Sequence, residues 1–541
     1  MRKNLLLCGA CLVAASAGAQ WSKNLETNLV ISDSDLPESA NTVKSFLLPD
    51  GNMWVTWGQF EENMNLYIKA QLVTPGGEFL LDEGGVYVSR HPTATYHTGY
   101  AAAVTPEGDL VVCLPDSRND NERHAFDPYV YKIDKEGNHL WGLDGVLLPT
   151  TASYGGDPQM AVSPAGTVMV GYNDVATMMN FVLMKINADG TLAWDEPLMA
   201  PGGRGFLMDC GEDEFYLNVL QSGVKTYCID SLGDIVWGPV NVTDGEVNGY
   251  TNYPGFPDGQ GGIIVPYYYA VSLQITNNGL QRITPDGEAM FGLRGLDIMV
   301  NDGQNGRPAV AVNPEREEVL AYWTAAYEGG NEQYLKAQKF DYYGAPLWES
   351  PKTLRTNAHW GYNVSAGEIL DNGDAIIIYW EATTSSIKGN LIVACLDADG
   401  DFKWQSQLGP TSYCGEPAPL YDGEWAYLYW SDNREGNMSN PYGLVLGQAV
   451  NTTTGTADAP ENSVSQLTAD APESTVVYEA GELKVTTDVP ATLDIYDMTG
   501  IKRASHLLDA GSNIVSPGVP AGVYVAVVAG NTVKFQVADA L

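Results

Sequence analysis

The 541 residues include 67 acidic and 28 basic side chains, so the formal net charge is −39 at pH 7. A charge of this size and sign repels phosphate backbones and anionic lipid surfaces, which excludes nucleic acid as an expected partner. The hydrophobic fraction of 44%, with 58 Gly, 30 Tyr and 13 Trp, is typical of short strands joined by many turns and predicts an all-β fold.

Residues 1–19 have the pattern of a secretory signal peptide. Arg2 and Lys3 form a basic start, an apolar run extends from Leu5 to Ala15, and Ala17–Ala19 has the small-x-small form that signal peptidase needs. We expect export, with cleavage after Ala19. No later stretch approaches the ~20 apolar residues of a transmembrane helix, so we expect a secreted protein or one at the outer-membrane surface.

A turn motif recurs through residues 20–455. It consists of an apolar strand, Asp-x-x-Gly, and an aromatic residue four positions after the Gly. The clearest copies run from Asp134 to Trp141, Asp230 to Trp237, Asp341 to Trp348 and Asp397 to Trp404. Weaker copies run from Thr74 to Leu81, Asn187 to Trp194 and Thr284 to Phe291. The motif glycines recur about every 54 residues, which is typical of stacked supersecondary units and here predicts the blades of a β-propeller.

The residue types of the motif suit a hairpin turn. The Asp side chain accepts backbone N–H bonds, and Gly adopts the positive φ that the turn needs. We expect the aromatic residue to pack between adjacent sheets.

The two ends of this region complement each other. The turn is repeated at Asn451–Gly455 without a following Trp, whereas Trp21 precedes a strand-like segment, Asn28–Ser32, that has no turn before it. We therefore predict that the N-terminal strand completes the blade that begins near residue 415 and so closes the ring. The strand pairs predict eight blades, with seven as the alternative.

Other repeated residues resemble a loose class of bacterial repeat β-propellers. The class has Trp-x-Asp-x-Arg and Ala-Gln-x-Φ-Asp segments, where Φ is apolar. Trp430–Arg434, Asp116–Arg118, Ala337–Asp341 and Ala70-Gln71 fit these patterns. The resemblance implies an architecture and no particular activity.

Residues 456–476 are rich in Thr, Ala, Ser, Pro and acidic residues and read as a linker. In residues 477–541, the blocks Leu493–Gly500, Val519–Val525 and Lys534–Val537 resemble the type A C-terminal sorting domain of the type IX secretion system of Bacteroidetes. The resemblance implies a small β-sandwich, the type IX secretion machinery as a partner, and attachment to the cell surface or release.

The five cysteines that follow the predicted signal peptide do not have the spacing of a zinc site, because they form no CxxC pair. Cys113, Cys228 and Cys395 lie in apolar runs and are expected to be buried, with disulfides as the alternative. No cofactor is expected, apart from calcium at one candidate site. Oxygen ligands for calcium could come from Asp116, Asp120 and Glu122, although an ordinary polar hairpin loop is the alternative.

Aromatic residues provide the binding hypothesis. Trp57, Trp323, Trp380 and Trp430 end equivalent strands, and Tyr268 lies near such an end. Aromatic side chains at equivalent strand ends lie on one face of the propeller, where they can stack on sugars. Hydrogen bonds to the sugar are expected from Glu381, Asp432 and Arg434. The alternative is that the aromatic rings fill the space between blades.

The sequence shows no recognisable set of catalytic residues. His91, His97 and His359 lie in loops between blades, where a general base could be placed. We expect a non-catalytic binding or adhesion module for carbohydrate or for a surface protein. A secreted glycan-active lyase or hydrolase with a central-channel active site is the first alternative, and a structural envelope protein is the second.

Overall fold

The computed structural model describes residues 21–32, 40–61, 65–91, 99–118, 126–150, 155–174, 181–243, 253–272, 275–300, 303–326, 332–357, 362–385, 388–412, 417–432, 443–457, 474–479, 482–487, 490–497, 502–528 and 531–537. Across these ranges the regular secondary structure consists of 40 β-strands, which confirms the all-β prediction. They contain no helix that could cross a membrane. The chain divides into two compact units, Met1–Pro460 and Glu461–Leu541. The predicted signal peptide lies outside the described residues.

The first unit begins with β1 (Leu29–Val30) and continues as successive antiparallel groups of four strands. Group A contains β2 (Ala40–Leu47), β3 (Met53–Glu61), β4 (Asn65–Val73) and β5 (Val86–Tyr87). Group B contains β6 (Ala101–Val104), β7 (Leu110–Asp116), β8 (Asp127–Ile133) and β9 (Val146–Leu147). Group C contains β10 (Gly156–Val162), β11 (Val168–Asn173), β12 (Phe181–Ile186) and β13 (Leu198–Met199). Group D contains β14 (Gly203–Gly211), β15 (Glu214–Leu220), β16 (Val224–Asp230) and β17 (Ile235–Thr243).

The next two groups are joined by a short strand, β22 (Gln304–Asn305), into one nine-stranded sheet. Group E contains β18 (Phe256–Pro257), β19 (Ile263–Ala270), β20 (Thr276–Ile283) and β21 (Leu296–Met299). Group F contains β23 (Ala309–Asn313), β24 (Glu318–Ala326), β25 (Gln333–Asp341) and β26 (Lys352–Asn357). Group G contains β27 (Tyr362–Ile369), β28 (Ala375–Ser385), β29 (Lys388–Leu396) and β30 (Phe402–Ser412). Group H contains β31 (Ala418–Tyr421), β32 (Trp425–Asp432) and β33 (Leu444–Asn451), and β1 completes it.

The pairing of β1 with β33 joins the two ends of the first unit. Leu29 lies opposite Gly447 and Val30 opposite Leu446 in antiparallel register. Strands β31 and β32 of group H also contact β2 of group A, so the last group of the first unit is a neighbour of the first group. The predicted pairing of the N-terminal strand with the last group is confirmed. Consecutive antiparallel four-stranded groups in this order are typical of a β-propeller.

Apolar side chains fill the space between neighbouring groups. Each neighbouring pair shares a cluster of buried residues, including the pair formed by H and A, where Trp57 packs in the same cluster as Tyr427. The second strand of a group is therefore covered on both faces, and β3 is buried from Met53 to Phe60. This explains why such strands are continuous apolar runs without alternation.

The repeated turn has the predicted hydrogen bonds. The Oδ1 atom of Asp134 accepts hydrogen bonds from the backbone N atoms of Glu136 (3.1 Å) and Asn138 (2.7 Å). The aromatic residue then reaches the next group, because the indole of Trp141 donates to the carbonyl oxygen of Ala188 at 3.1 Å. The expectation that the motif aromatic packs between sheets is confirmed for this copy.

The second unit contains two antiparallel sheets. The first consists of β34 (Ser474–Glu479), β35 (Glu482–Thr487) and β38 (Gly511–Val515). The second consists of β37 (Lys502–Leu508), β36 (Ala491–Asp497), β39 (Gly522–Val528) and β40 (Asn531–Val537). One buried cluster contains residues of both sheets, with Val485 from the first and Ile495 from the second.

Candidate functional site

A cavity of about 530 Å³ is shared by groups E, F, G and H. Its lining includes Tyr268 of β19, Arg307 between β22 and β23, Thr324 of β24, and Asn363 and Ser365 of β27. Strand β27 contacts both β23 and β31, the first strands of its neighbouring groups. The cavity therefore lies where first strands of neighbouring groups meet, which in a propeller is the central channel.

Hydrogen bonds between groups E and F hold the backbone that precedes Arg307. The backbone N of Asn305 donates to Thr276 Oγ1 (2.6 Å), and that hydroxyl donates to the carbonyl oxygen of Asn305 (2.7 Å). The amide of Asn278 donates to the carbonyl oxygen of Gly306 at 2.9 Å. These bonds fix the chain at β22 and so set where Arg307 enters the cavity.

The lining combines one cation with neutral polar groups. Arg307 is the single charged residue among the described residues that line the cavity, in a chain whose net charge is −39. Ser365 is buried, and its Oγ has no hydrogen-bond partner among the described atoms. An aromatic ring, hydroxyl and amide groups and a guanidinium around a cavity of this size suit a ligand that carries many hydroxyl groups.

A smaller cavity of about 250 Å³ shares Tyr268, Gly306 and Thr324 with the first. It extends toward Thr276, Gln304 and Gln333, which add a hydroxyl group and side-chain amides. The two cavities therefore share Tyr268 as a common lining residue.

The four tryptophans predicted to form a stacking surface are all buried, and Trp57, Trp380 and Trp430 lie in clusters between groups. The exposed fraction of Trp57, Trp323 and Trp430 is 0%, and that of Trp380 is 1%. Stacking on a sugar needs an exposed ring face, so the prediction that these rings form a flat surface is wrong. The alternative, that they fill the space between neighbouring groups, describes the environment of Trp57, Trp380 and Trp430.

The other residues of the binding hypothesis are divided between different places. Tyr268 lines both cavities. The carboxylate of Glu381 forms an ion pair with Arg355 at 3.0 Å and does not line either cavity. Asp432 is buried at the end of β32. Arg434 lies outside the described residues.

The calcium hypothesis depends on Asp116, whose carboxylate is already paired. Both of its oxygens accept hydrogen bonds from Arg118 Nε, at 3.0 and 2.9 Å. A guanidinium therefore pairs with the carboxylate that was a candidate calcium ligand. Asp120 and Glu122 lie outside the described residues, as do His97 and His359. The remaining loop histidine, His91, contacts Asp144 at 3.0 Å.

Two features were missed at the level of sequence. Burial, with the charges of Asp422 and Asp371, raises the pKa of Glu368 on β27 to about 7. Cys210 and Cys228 approach each other in group D, although their spacing in the chain has no metal-site pattern. None of these three residues belongs to the repeated turn, so no local signal marks them.

Comparison with known proteins does not assign a family. No family model and no curated protein matches the chain. Among solved structures, the polysaccharide lyase Uly1 is 12% identical, with a TM-score of 0.39, and the alignment covers 79% of this chain and 91% of that chain. An ulvan lyase of family PL25 is also 12% identical, with a TM-score of 0.35 and coverage of 73% and 94%. A protein of unknown function from Dyadobacter fermentans has 12% identity, a TM-score of 0.37 and coverage of 77% and 96%. Similarity this low assigns no function.

Proposed function

We propose that this protein is an exported eight-bladed β-propeller that binds a saccharide in the cavity around Tyr268 and Arg307. The observation that carries the proposal is the lining of that cavity, where an aromatic ring, a guanidinium and neutral polar groups converge. The buried Ser365 hydroxyl, which lacks a partner among the described atoms, adds a group that a ligand hydroxyl can satisfy.

The blade count rests on groups A to H, with E and F taken as separate blades joined by β22. The contact of group H with group A supports a ring that contains no further blade. Seven blades would require two of these groups to be one, and each has its own four antiparallel strands.

The test is a glycan array followed by calorimetry on the full exported chain. We expect Tyr268→Ala to weaken binding at least about tenfold, or about 1.4 kcal/mol. Tyr343→Ala is the matched control, because Tyr343 is 61% exposed on a turn away from the cavity lining, and it should leave affinity unchanged. Equal affinities of wild type and Tyr268→Ala for the bound glycan would contradict the proposal.

Arg307→Gln distinguishes two classes of saccharide. An acidic saccharide loses affinity strongly in this variant, and its binding to the wild type weakens as salt is added. A neutral saccharide shows little salt dependence and loses only a hydrogen bond. If the protein binds no glycan but does bind an isolated surface protein, the result supports an adhesion function instead of saccharide binding.

A second candidate is cleavage of the bound saccharide. Glu368 lies on the same inner strand as Asn363 and Ser365, and its pKa of about 7 is suited to a general acid. If the protein is an enzyme, incubation with the glycan it binds yields shorter products, and Glu368→Gln abolishes them while binding remains. Binding without any product supports the non-catalytic proposal.

The C-terminal residues 477–541 are proposed to be a β-sandwich that directs the chain to the type IX secretion machinery, with 456–476 as its linker. The two sheets and single core cluster of the second unit support an independently folded domain. Deletion of residues 477–541 should leave the propeller inside the cell envelope, whereas the full chain reaches the surface or the medium. Surface delivery of the truncated chain would contradict this part of the proposal.

A further inference from the structure

Three metal-ligating side chains converge in group D. The Sγ atoms of Cys210 and Cys228 are 3.7 Å apart, and the Cys228 thiol donates to Glu214 Oε2 at 3.2 Å. The ligand atoms of the three residues all lie within 4.8 Å of one another. This is the one cluster of its kind in the ranges of the chain that the structure describes.

Strand register brings these residues together. Cys210 lies on β14 where the pairing with β15 shifts, between Asp209 and Gly211. Cys228 on β16 is opposite Tyr216 of β15, and Glu214 is two residues before Tyr216, on the same face of that strand. The irregular pairing interrupts the regular alternation of side chains at Cys210, and its thiol lies within 4.8 Å of both Cys228 Sγ and the Glu214 carboxylate.

The separation of the sulfur atoms does not suit a disulfide. Strands β14 and β16 lie on either side of β15, so their backbones are roughly 9–10 Å apart. A disulfide needs Cα atoms within about 7 Å and sulfur atoms about 2 Å apart. In contrast, two thiolates bound to one tetrahedral zinc ion at about 2.3 Å lie about 3.8 Å apart, close to the spacing in this cluster.

The electrostatics favour a cation between these groups. The Cys228 thiol contacts both Cys210 Sγ and the Glu214 carboxylate, so negative charge on these groups is stabilised by a cation beside them. A bound divalent ion would supply that charge and hold both thiols as thiolates. Two thiolates select a borderline or soft ion over calcium or magnesium.

We propose that Cys210, Cys228 and Glu214 bind a thiophilic divalent cation of the Zn²⁺ class. Three protein ligands leave a fourth tetrahedral position for water or for an external ligand. Cys210 and Glu214 are only partly buried, which leaves a path for the ion to enter. The proposal is independent of saccharide binding, because none of the three residues lines either cavity.

The test uses the full chain, purified with a reductant and titrated with Co²⁺ as a spectroscopic probe. We expect a thiolate-to-cobalt absorption band that saturates at one equivalent and is displaced by Zn²⁺. Cys210→Ala and Cys228→Ala should each abolish the band. Cys395→Ala is the matched control, since Cys395 is a buried cysteine of group G that is not in the cluster, and it should keep the band.

Glu214→Gln separates the role of the carboxylate from that of the thiols. We expect this variant to keep the band while its affinity for Zn²⁺ falls by at least about tenfold. Circular dichroism spectra that match the wild type show that a variant is folded, and native mass spectrometry of the wild type with and without chelator provides a readout free of variants. A reduced wild type that shows no band, or a band that survives both cysteine substitutions, would overturn the proposal. So would a wild type in which the two thiols form a disulfide and which binds no metal after reduction.

Discussion

The indole nitrogen of Trp21 donates a hydrogen bond to the carbonyl oxygen of Pro75 at 2.7 Å. Pro75 is the second residue of the first repeated turn. Three other motif tryptophans make the same contact with the second residue of the turn in the next group. These contacts are Trp141 to Ala188, Trp237 to Pro285 and Trp348 to Ala398. Trp21 therefore supplies the aromatic residue that the last turn lacks, from the opposite end of the first unit.

Trp21→Ala should destabilise the first unit by about 3–5 kcal/mol, because it removes a ring that is 3% exposed and packed against Tyr427 and Tyr429. All 13 tryptophans of the chain precede residue 461, so the tryptophan fluorescence during urea unfolding reports on this unit alone. Lys23→Ala, a change at an exposed neighbour, is the control. A midpoint for Trp21→Ala equal to that of the control would show that the N-terminal segment does not hold the ring together.

Two buried tryptophans at equivalent strand positions differ in one hydrogen bond. The indole of Trp380 donates to Thr411 Oγ1 at 3.1 Å, whereas the indole nitrogen of Trp430 has no partner among the described atoms. Trp380→Phe should therefore cost about 1 kcal/mol more than Trp430→Phe in the free energy of unfolding. Urea unfolding of the two variants, side by side, measures the difference. Equal costs would mean that the Thr411 contact is not stabilising.

The repeated turn could be read from sequence because its interactions are local. Asp341 accepts hydrogen bonds from backbone N atoms two and four residues later, so all the partners lie within one short stretch of sequence. The burial of Trp323 and Trp430 could not be predicted from the sequence. Aromatic residues are common both in strands that are covered on both faces and at strand ends that form a binding face.

The cavity and the cysteine cluster depend on contacts between distant parts of the chain. Arg307 and Asn363 come from different groups, and no motif precedes either of them. Cys210 and Cys228 meet because the strand pairing shifts next to Cys210, and sequence does not mark such a shift. Sequence therefore predicted the repeat and its closure, but not the residues that the closed ring brings together.

Glu368 makes stability depend on pH. Its pKa rises from an ordinary value of 4.5 to about 7 in the folded protein. Between these values the folded state keeps a proton that the unfolded state releases, so the free energy of unfolding falls as pH rises through this window. Glu368→Gln should match the wild type at pH 4 and exceed it by about 1–2 kcal/mol at pH 8, after allowance for solvent screening.

Glu318 provides a control of opposite sign. Burial alone would raise its pKa, but Arg316 and Lys339 lower it below the ordinary value. Glu318→Gln should therefore lose stability relative to the wild type at pH 8 and lose less at pH 3. Urea midpoints across this pH range test both variants. A stability gain for Glu368→Gln that is the same at every pH would exclude titration of Glu368 as its cause.

At several repeated turns, the motif aromatic of the preceding group packs so closely that the turn position requires a glycine. At Gly400, φ is +85°, and an added Cβ would lie 2.7 Å from the ring of Trp348. Gly423 has a similar φ of +95°, but an added Cβ would meet no atom within 4 Å. Both substitutions to Ala strain the backbone, whereas only Gly400→Ala also displaces an aromatic ring.

Gly423→Ala should cost about 1 kcal/mol, because Ala is disfavoured at positive φ. Gly400→Ala should cost about 1–3 kcal/mol more, because the ring of Trp348 must move out of a packed interface between groups F and G. The double variant Gly400→Ala, Trp348→Ala isolates the clash, since the second substitution removes the ring that the new methyl group would meet. If the two substitutions together cost less than the sum of their separate costs, the methyl group and the ring compete for the same space. If the two costs add exactly, the Trp348 indole does not press on the turn. The repeated aromatic residue then stabilises the propeller through burial and its hydrogen bond alone.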